Sequence, residues 1–268
     1  MNIALIGFRG FVGSAFARYF EECSICFVGV DRVNYSAHTS RTWDVVVHCA
    51  ANSKKFVAEE TPLMDLEQSL ELTSRILRDF PAKRHLLIST VDVYNNLAVP
   101  ESTRETTPVD LSTLGNYGFH KRLSELLVLR HSPHPLIFRL AGMVGPGLKK
   151  NPVFDVTRCQ PLRIHPDSGY QFLHTSAVAD IVWNLQNRLQ PGEILNVCGR
   201  GMVSPREIAQ LAGVKIDHSQ VSGPPRIVDI CVEKLAGLVE VPETTESIRQ
   251  FLGTFTPTHG HHTHTPES

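Results

Sequence analysis

Three glycines near the start of the chain stand at the spacing of a phosphate-binding turn. An apolar run ends on Gly7, and Gly10 and Gly13 follow before a helical pattern begins. A pyrophosphate reaches the free N–H groups of a helix N-terminus only where no Cβ stands in the way. We expect Gly7 to turn the chain out of a strand, Gly10 to admit the phosphates and Gly13 to let the helix pack on the strand. The segment therefore predicts a dinucleotide site.

A tyrosine and a lysine four residues apart form a second group suited to chemistry. Tyr117 and Lys121 share one face if their segment is helical. An ammonium group within about 5 Å favours a phenolate, so the lysine is expected to lower the tyrosine pKa from about 10. Ser89 and Thr90 end an apolar run, where a hydroxyl would hydrogen-bond a reacting oxygen. Each pattern alone also fits a solvated helix face or a capped strand end. Together they predict a proton-transfer site beside the dinucleotide.

The elements that must hold these residues alternate between short apolar runs and amphipathic segments. Strands are predicted over residues 25–30, 44–48, 85–89 and 136–140, and helices over residues 11–22, 59–80 and 115–131. This alternation predicts an α/β fold built on a doubly wound parallel Rossmann sheet, which binds ligands at the carboxyl ends of its strands. The connection over residues 32–43 has room only for a minimal crossover.

The composition changes after residue 144, where a turn-rich, basic stretch begins. Further short elements are predicted over residues 170–174, 176–188, 194–197 and 204–212. We predict a dinucleotide-binding domain over residues 1–144 and a small C-terminal substrate-binding region over residues 145–255, interleaved with the sheet. The histidine-rich residues 256–268 are predicted to form a disordered tail with no chemistry beyond adventitious metal binding.

Charge and cysteine use narrow the classes of function. Lys and Arg number 26 against 27 Asp and Glu, so no attraction to nucleic acid or an acidic membrane is expected. No stretch reaches the roughly 18 apolar residues of a membrane span, and the first strand leaves no room for a signal peptide, which predicts a cytoplasmic protein. The dispersed cysteines predict no disulfide. Cys23 and Cys26 are expected to pack in the core, and no metal site is predicted.

Six motifs, taken together, resemble the extended branch of the short-chain dehydrogenase/reductase superfamily, which includes the NAD-dependent epimerase/dehydratase family. The resemblance covers about residues 1–215. Its motifs are the glycine turn at 7–13, HCAAN at 48–52, STVDVY at 89–94, Tyr117-x-x-x-Lys121, RLAGMVGPG at 139–147 and FLHTSAVAD at 172–180. Members of this branch modify nucleotide sugars, so the expected substrate is a nucleotide-linked sugar.

The resemblance implies a role for each of three side chains. Thr90, four residues before Tyr94, takes the position of the catalytic hydroxyl, Tyr117 that of the acid/base, and Lys121 that of the residue that binds the nicotinamide ribose and lowers the tyrosine pKa. The implied step is hydride transfer at a sugar carbon, as in a reductase or an epimerase. The helices at 59–80 and 115–131 pair across a homodimer in the family.

The cofactor is expected to be NAD or NADP, held by the glycine turn and by the ends of the neighbouring strands. The expected contacts are Gly7, Phe8, Arg9, Gly10, Phe11, Val12, Gly13, Asp31, Arg32, Cys49, Ala50, Ala51, Ser89, Tyr117 and Lys121. Asp31, 24 residues after Gly7, suits the ribose hydroxyls of NAD and repels a 2′-phosphate. Arg9 and Arg32 favour NADP, as in family reductases with a similar turn. The balance favours NAD and leaves NADP open.

Asp92 allows an elimination as an alternative reaction. Family dehydratases place a glutamate base at this position, so Asp92 is a candidate base with a shorter side chain, while Val91 replaces the acid that some of them hold beside it. One expected proton donor is therefore missing. A carboxylate that caps the following turn is the structural alternative.

The substrate side departs further from the family pattern. No arginine stands in residues 169–172, where relatives that grip a nucleotide diphosphate often have one. We expect Asn52, Lys149 and Asn151 to contact the substrate, and the basic residues Lys149, Lys150 and Arg163 are candidates for phosphate binding. The length of 268 residues is short for this branch, which favours an open pocket or a small substrate.

Two functions without catalysis compete with this interpretation. One is an NAD(P)-sensing regulator, and the other is a scaffold that keeps the fold for dimerisation through its two long helices. A sensor has no need of a proton-transfer group, so the intact set of Thr90, Tyr117 and Lys121 favours an enzyme.

Overall fold

A computed structural model describes residues 1–39 and 41–254 of the chain. The predicted tail at 256–268 lies outside the described residues. Within the described part of the chain, none of the helices has both the length and the apolar character needed to cross a membrane.

The strands lie close to their predicted positions. Numbered along the chain, they are β1 (Ile3–Ile6), β2 (Val28–Val30), β3 (Trp43–His48), β4 (Ala82–Thr90), β5 (Pro135–Leu140), β6 (Gly142–Val144), β7 (Phe172–His174) and β8 (Ile194–Val197). Six of them form one parallel sheet in the order β2-β1-β3-β4-β5-β8. Strands β6 and β7 pair separately. The predicted parallel α/β sheet is confirmed.

Helices cover both faces of the sheet. They are α1 (Gly13–Glu22), α2 (Lys55–Glu60), α3 (Pro62–Leu66), α4 (Leu72–Asp79), α5 (Asn116–His131), α6 (Pro152–Thr157), α7 (Thr175–Leu185), α8 (Pro205–Ala212), α9 (Glu233–Ala236) and α10 (Thr244–Gly253). Phe16 and Val182, from α1 and α7, pack into one core beside the sheet, whereas Ile76 of α4 packs into another.

The single helix predicted over residues 59–80 is wrong. The segment is broken at Thr61, whose φ of −136° and ψ of 69° leave the helical region before Pro62. Proline crowds the residue that precedes it and has no N–H to continue the ladder. A π-helical turn over Glu67–Glu71 then joins α3 to α4.

Strand order reverses between β1 and β3. Because the chain leaves β1 for β2 on one side and enters β3 on the other, a crevice opens at the carboxyl ends of β1 and β3. The connection from β2 to β3 holds one 3-10 turn, Tyr35–His38, which agrees with the predicted minimal crossover. The predicted ligand edge of the sheet therefore includes Gly7 and Cys49, the residues that follow these two strands.

The residues after 144 build a second apolar cluster and also return to the sheet. Val153, Phe172 and Ile248 belong to this cluster, while β8 adds the last strand of the main sheet. The helix predicted from residue 204 begins at Pro205, with Ser204 as its N-cap. The domain boundary at residue 144 stays a prediction.

The prediction that Cys23 and Cys26 pack in the core is wrong. Both are exposed, because α1 ends at Glu22 and β2 begins only at Val28. No group of metal-binding side chains exists among residues 1–39 and 41–254.

Candidate active site

The glycine turn has the close backbone approach that its spacing predicts. Gly7 has a φ of +82°, and a Cβ on it would stand 2.8 Å from the Ala50 nitrogen. A Cβ on Gly13 would stand 2.1 Å from the Gly7 carbonyl oxygen, so α1 packs on the turn only with glycine there. The Gly10 N–H donates to the same oxygen at 2.9 Å. A side chain at Gly7 or Gly13 would fill this cradle.

The other predicted cofactor residues of the turn lie around this cradle. The Phe8 ring packs against Gly29 of β2, Phe11 is partly exposed, and Val12 is the N-cap of α1. After β3, the Cys49 N–H donates to the Ile6 carbonyl oxygen at 2.9 Å. This bond places the predicted cofactor residues 49–51 beside the turn. Burial raises the pKa of the Cys49 thiol above its usual range, so the thiol stays protonated.

Arg9 and Asp31 face each other across the adenosine end of the cradle. Arg9 Nε lies 2.7 Å from Asp31 Oδ2. The other carboxylate oxygen, Oδ1, accepts the N–H groups of Val33 at 2.9 Å and Asn34 at 3.3 Å. The Val33 N–H makes the largest contribution to lowering the pKa of Asp31. Arg32 is exposed. If Asp31 binds a ribose as predicted, the hydroxyl would share Oδ2 with Arg9 or displace Arg9 from it.

Tyr117 reaches the site because α5 packs closely on the turn that follows β4. A Cβ on Gly118 would stand 2.2 Å from the Asp92 carbonyl oxygen. Sequence reasoning missed Gly118, although it lies directly after the tyrosine of the motif. Thr90 lies close enough to the Tyr117 hydroxyl to lower its pKa, and Lys121 Nζ lies 5.7 Å from the centre of the tyrosine ring. The three residues assigned from the resemblance are thus brought together.

The electrostatics of Tyr117 differ from the prediction. Burial raises its pKa above the usual range, and the carboxylates of Asp92 and Asp65 raise it further, while the nearby Thr90 hydroxyl opposes them. The predicted lowering of the Tyr117 pKa by Lys121 is wrong, because desolvation has the largest effect on this pKa and raises it. Tyr117 therefore stands protonated at neutral pH.

Lys121 is a buried cation without a close counter-ion. Lys121 is only 8 % exposed. Burial lowers the pKa of its ammonium group to about 8, and the charges of Asp65 and Glu125 oppose this shift. Among residues 1–39 and 41–254, no carboxylate lies within ion-pair distance of its ammonium group. An unpaired buried charge is costly, so a ligand oxygen beside Lys121 would be strongly stabilised.

Thr90, Asp92 and Lys55 form a chain of hydrogen bonds. Thr90 Oγ1 donates to Asp92 Oδ2 at 3.0 Å and accepts the Asp92 N–H at 3.2 Å, so Thr90 rather than Asp92 caps the turn. Asp92 Oδ1 accepts Lys55 Nζ at 2.5 Å. Sequence reasoning missed Lys55, which comes from α2 and stands in no motif.

The hydroxyl of Ser89 is directed away from the other predicted cofactor residues. It donates to Glu125 Oε1 at 2.6 Å, and Glu125 also accepts both Arg139 Nε at 3.0 Å and a terminal Arg139 nitrogen at 2.7 Å. Arg122 completes this buried group at 2.7 Å. Because the hydroxyl is used in this way, a contact between Ser89 and the cofactor would have to be made by the Ser89 backbone.

The two predicted substrate amides are occupied within the chain. Asn52 Nδ2 donates to Asp65 Oδ1 at 2.7 Å, and its oxygen accepts the Lys54 N–H at 2.8 Å. Asn151 caps α6 by accepting the Phe154 N–H at 3.0 Å. Lys149 is exposed. The substrate contacts assigned to these residues stay predictions.

A cleft of about 380 Å³ opens beside Tyr117. Lys55, Asp92 and Arg226 line it. The backbone of Arg226 is held to residues 168–169, where its carbonyl accepts the Gly169 N–H at 2.9 Å. The structure therefore brings an arginine next to the segment that lacks one. Residues 224–228 show no recognisable motif, which is why sequence reasoning missed Arg226.

The model of the NAD dependent epimerase/dehydratase family matches residues 3–198. The chain belongs to this family. It is therefore an NAD(P)-dependent enzyme of the extended short-chain dehydrogenase/reductase type, as its motifs predict. A comparison with curated protein sequences found no match.

Solved structures of the epimerase/dehydratase type share the fold. A UDP-galactose 4-epimerase has a TM-score of 0.78 and 20 % identity, covering 94 % of this chain and 97 % of its own. RMD from Pseudomonas aeruginosa, complexed with NADPH, has a TM-score of 0.77 and 22 % identity, covering 94 % and 98 %. The UDP-glucose 4-epimerase of Thermus thermophilus, complexed with NAD, has a TM-score of 0.75 and 18 % identity, covering 94 % and 98 %.

Proposed function

We propose that this enzyme is an oxidoreductase or epimerase that acts on a sugar carbon of a nucleotide-linked sugar, with Tyr117 as its acid/base. One observation carries the proposal: Tyr117 lines the cleft, and the buried Lys121 ammonium lies 5.7 Å from the centre of its ring. Hydride chemistry at a carbinol carbon needs a group that moves the hydroxyl proton and a fixed place for the cofactor.

The residues of the cradle fit a dinucleotide. The space kept free by Gly7 and Gly13 leaves the N-terminus of α1 open to a pyrophosphate. Asp31 and Arg9 would hold the adenosine ribose, and Lys121 would donate to the nicotinamide ribose. When bound, NAD(P) supplies the hydride acceptor or donor.

Tyr117 carries the proton in this proposal. The raised pKa of Tyr117 keeps its hydroxyl protonated, which suits donation to a carbonyl oxygen in the reductive direction. In the oxidative direction Tyr117 would accept the proton from the sugar hydroxyl during proton transfer. Thr90 would stabilise the resulting phenolate by turning its O–H from Asp92 Oδ2 towards it. General acid–base catalysis of this kind contributes about 10²- to 10⁴-fold to a rate.

The cleft offers charge for a nucleotide diphosphate. Arg226 lines the cleft. Its guanidinium is a group that binds phosphate oxygens in a bidentate manner. The exposed Lys149 lies on the loop before α6 and is a second candidate. Neighbours named as epimerases of UDP-sugars support a UDP-sugar as the first substrate to test.

The proposal also includes assembly of the protein as a homodimer and a location in the cytoplasm. Leu63 and Met64 on α3 and Leu126 on α5 are exposed apolar side chains on the predicted pairing helices. A sedimentation measurement of the purified chain tests this part, since a monomer would contradict it.

A panel of nucleotide sugars tests the reaction. An epimerase regenerates its cofactor and is expected to retain it through purification, whereas a reductase consumes NADH or NADPH in proportion to product. Turnover of any nucleotide sugar in either manner supports the proposal. Cofactor binding without turnover of any panel member would contradict it and favour the sensing function.

Asp92 and Lys55 favour elimination of water as a second candidate. Oxidation of a carbinol carbon makes the C–H bond on its neighbour acidic. Asp92 would take that proton, the C–O bond on the next carbon would break, and Lys55 would protonate the departing hydroxide. Return of the hydride from the reduced cofactor to the carbon that lost the hydroxide, and of a proton to its neighbour, would make the net change the loss of one water molecule. Lys55 therefore supplies the donor that Val91 cannot. A product 18 mass units lighter than its substrate, lost in Lys55→Met, would support this reaction, and an unchanged mass would exclude it.

A further inference from the structure

Asp65 is a buried carboxylate outside the catalytic set. It is fully buried on α3. Its Oδ1 accepts Asn52 Nδ2 at 2.7 Å and the Ser69 hydroxyl at 3.3 Å, while its Oδ2 lies 2.7 Å from His120 Nδ1. Asp65 thus joins the loop after β3, the π-helical turn and α5.

Two partners of Asp65 are adjacent in sequence to predicted site residues. Asn52 follows the predicted cofactor residues 49–51 on the loop after β3. His120 is the residue before Lys121 on α5 and is itself buried. The π-helical turn Glu67–Glu71 begins two residues after Asp65 and places the Ser69 hydroxyl on it. Turns of this kind occur often at functional sites.

The charge of Asp65 also acts on Lys121. Burial disfavours the ammonium form, and Asp65 and Glu125 oppose that effect, whereas the ammonium of Lys150 adds to it. Glu125 is already shared by Arg139 and Arg122, which leaves less of its charge for Lys121. The titratable or charged groups that face Lys121 from the packed elements are Asp65, Glu125, Lys150, His48, His120 and Tyr117.

We propose that Asp65 is a positioning residue that locks α5 against the cofactor loop through His120 and Asn52 and holds Lys121 in its charged form. The proposal rests on the proposed function, because it uses the role of Lys121 in binding the nicotinamide ribose. Asp65 touches neither the cleft nor the glycine turn, so it acts through Lys121 and through the two elements it joins.

Asp65→Asn is the test, because it removes the charge and keeps the shape, although one acceptor oxygen becomes an NH2 donor. The readout is the dissociation constant of NADH and of NADPH by fluorescence titration between about pH 6 and 10. In the wild type, affinity is expected to fall as the pH passes about 8, where Lys121 loses its proton. In Asp65→Asn the fall is expected to begin roughly one pH unit lower, because a favourable charge has been removed.

Two controls separate the outcomes. Ser69→Ala removes one hydrogen bond of Asp65 and keeps its charge, so its pH midpoint should equal that of the wild type. Lys121→Met should bind weakly and without the fall near pH 8. If Lys121→Met binds like the wild type, the proposed role of Lys121 fails. If Lys121→Met is weak but Asp65→Asn keeps the wild-type midpoint, with or without a uniform loss of affinity, Asp65 is only structural and the present proposal is overturned.

Discussion

Arg9 Nε and Asp31 Oδ2 stand 2.7 Å apart at the adenosine end of the glycine turn. The pair combines Arg9, which is predicted to favour a 2′-phosphate, with Asp31, which is predicted to repel one. Two backbone N–H groups fix the other oxygen of Asp31, whereas the Arg9 side chain is 76 % exposed. Asp31 is therefore held by more partners than Arg9 and is the less exposed of the two.

This relationship predicts how Arg9→Ala changes cofactor choice. Removing the guanidinium frees Asp31 Oδ2 for a ribose hydroxyl and leaves a 2′-phosphate facing an unpaired carboxylate. NADPH affinity should fall about tenfold, equivalent to about 1.4 kcal/mol, while NADH affinity should hold or rise. Fluorescence titration of both cofactors measures the ratio. Arg130→Ala, which removes an exposed arginine side chain from α5, is the matched control, and an equal loss of NADPH affinity there would contradict a specific role for Arg9.

A side chain at Gly118 is expected to misalign Tyr117. In Gly118→Ala the new Cβ meets the Asp92 carbonyl oxygen, so α5 must move away from the turn after β4. A displacement of about 1 Å at a catalytic group can reduce turnover roughly 100-fold. Turnover and thermal melting of the variant measure the change.

Gly253→Ala in α10 is the control for Gly118, because nothing lies within 4 Å of its added Cβ. Alanine is the better helix former, so this variant should keep full turnover. Full turnover in Gly118→Ala as well would show that the close approach of α5 is dispensable.

Glu125 predicts the largest effect on stability. Its carboxylate is fully buried between the guanidinium groups of Arg139 and Arg122. Glu125→Ala leaves buried positive charge without a partner, which should lower the free energy of unfolding by about 3–5 kcal/mol. Urea denaturation measures this change. Lys83→Met removes an exposed partner of Asp44 and should have little effect. Equal midpoints for the two variants would contradict the assigned burial of the Glu125 group.

Local spacing explains which parts of the site the sequence predicts. Gly7 has a positive φ, Gly13 is required by its contact with the Gly7 carbonyl, and Tyr117 and Lys121 lie one helical turn apart. These relationships are written in consecutive residues, as are the apolar runs of the buried strands. Motif spacing therefore predicts the glycine turn and the placement of Tyr117 and Lys121 on one helix face.

The site residues that the sequence did not predict depend on tertiary contacts. Lys55 meets Asp92 across 37 residues, and Asp65 meets His120 across 55. Arg226 enters the cleft only because its segment pairs with Gly169. None of these residues stands in a periodic pattern, so sequence spacing carries no sign of them. Ser89, conversely, looked available at a strand end but its hydroxyl is used by Glu125.

Tyr117→Phe tests the central claim most directly. The variant removes the hydroxyl that moves the proton and keeps the ring beside Lys121. With a nucleotide sugar that the wild type turns over, kcat is expected to fall by about 10²- to 10⁴-fold, while the dissociation constant of NADH changes less than about twofold. A kcat within a factor of about two of the wild type would contradict the assignment of Tyr117 as the acid/base.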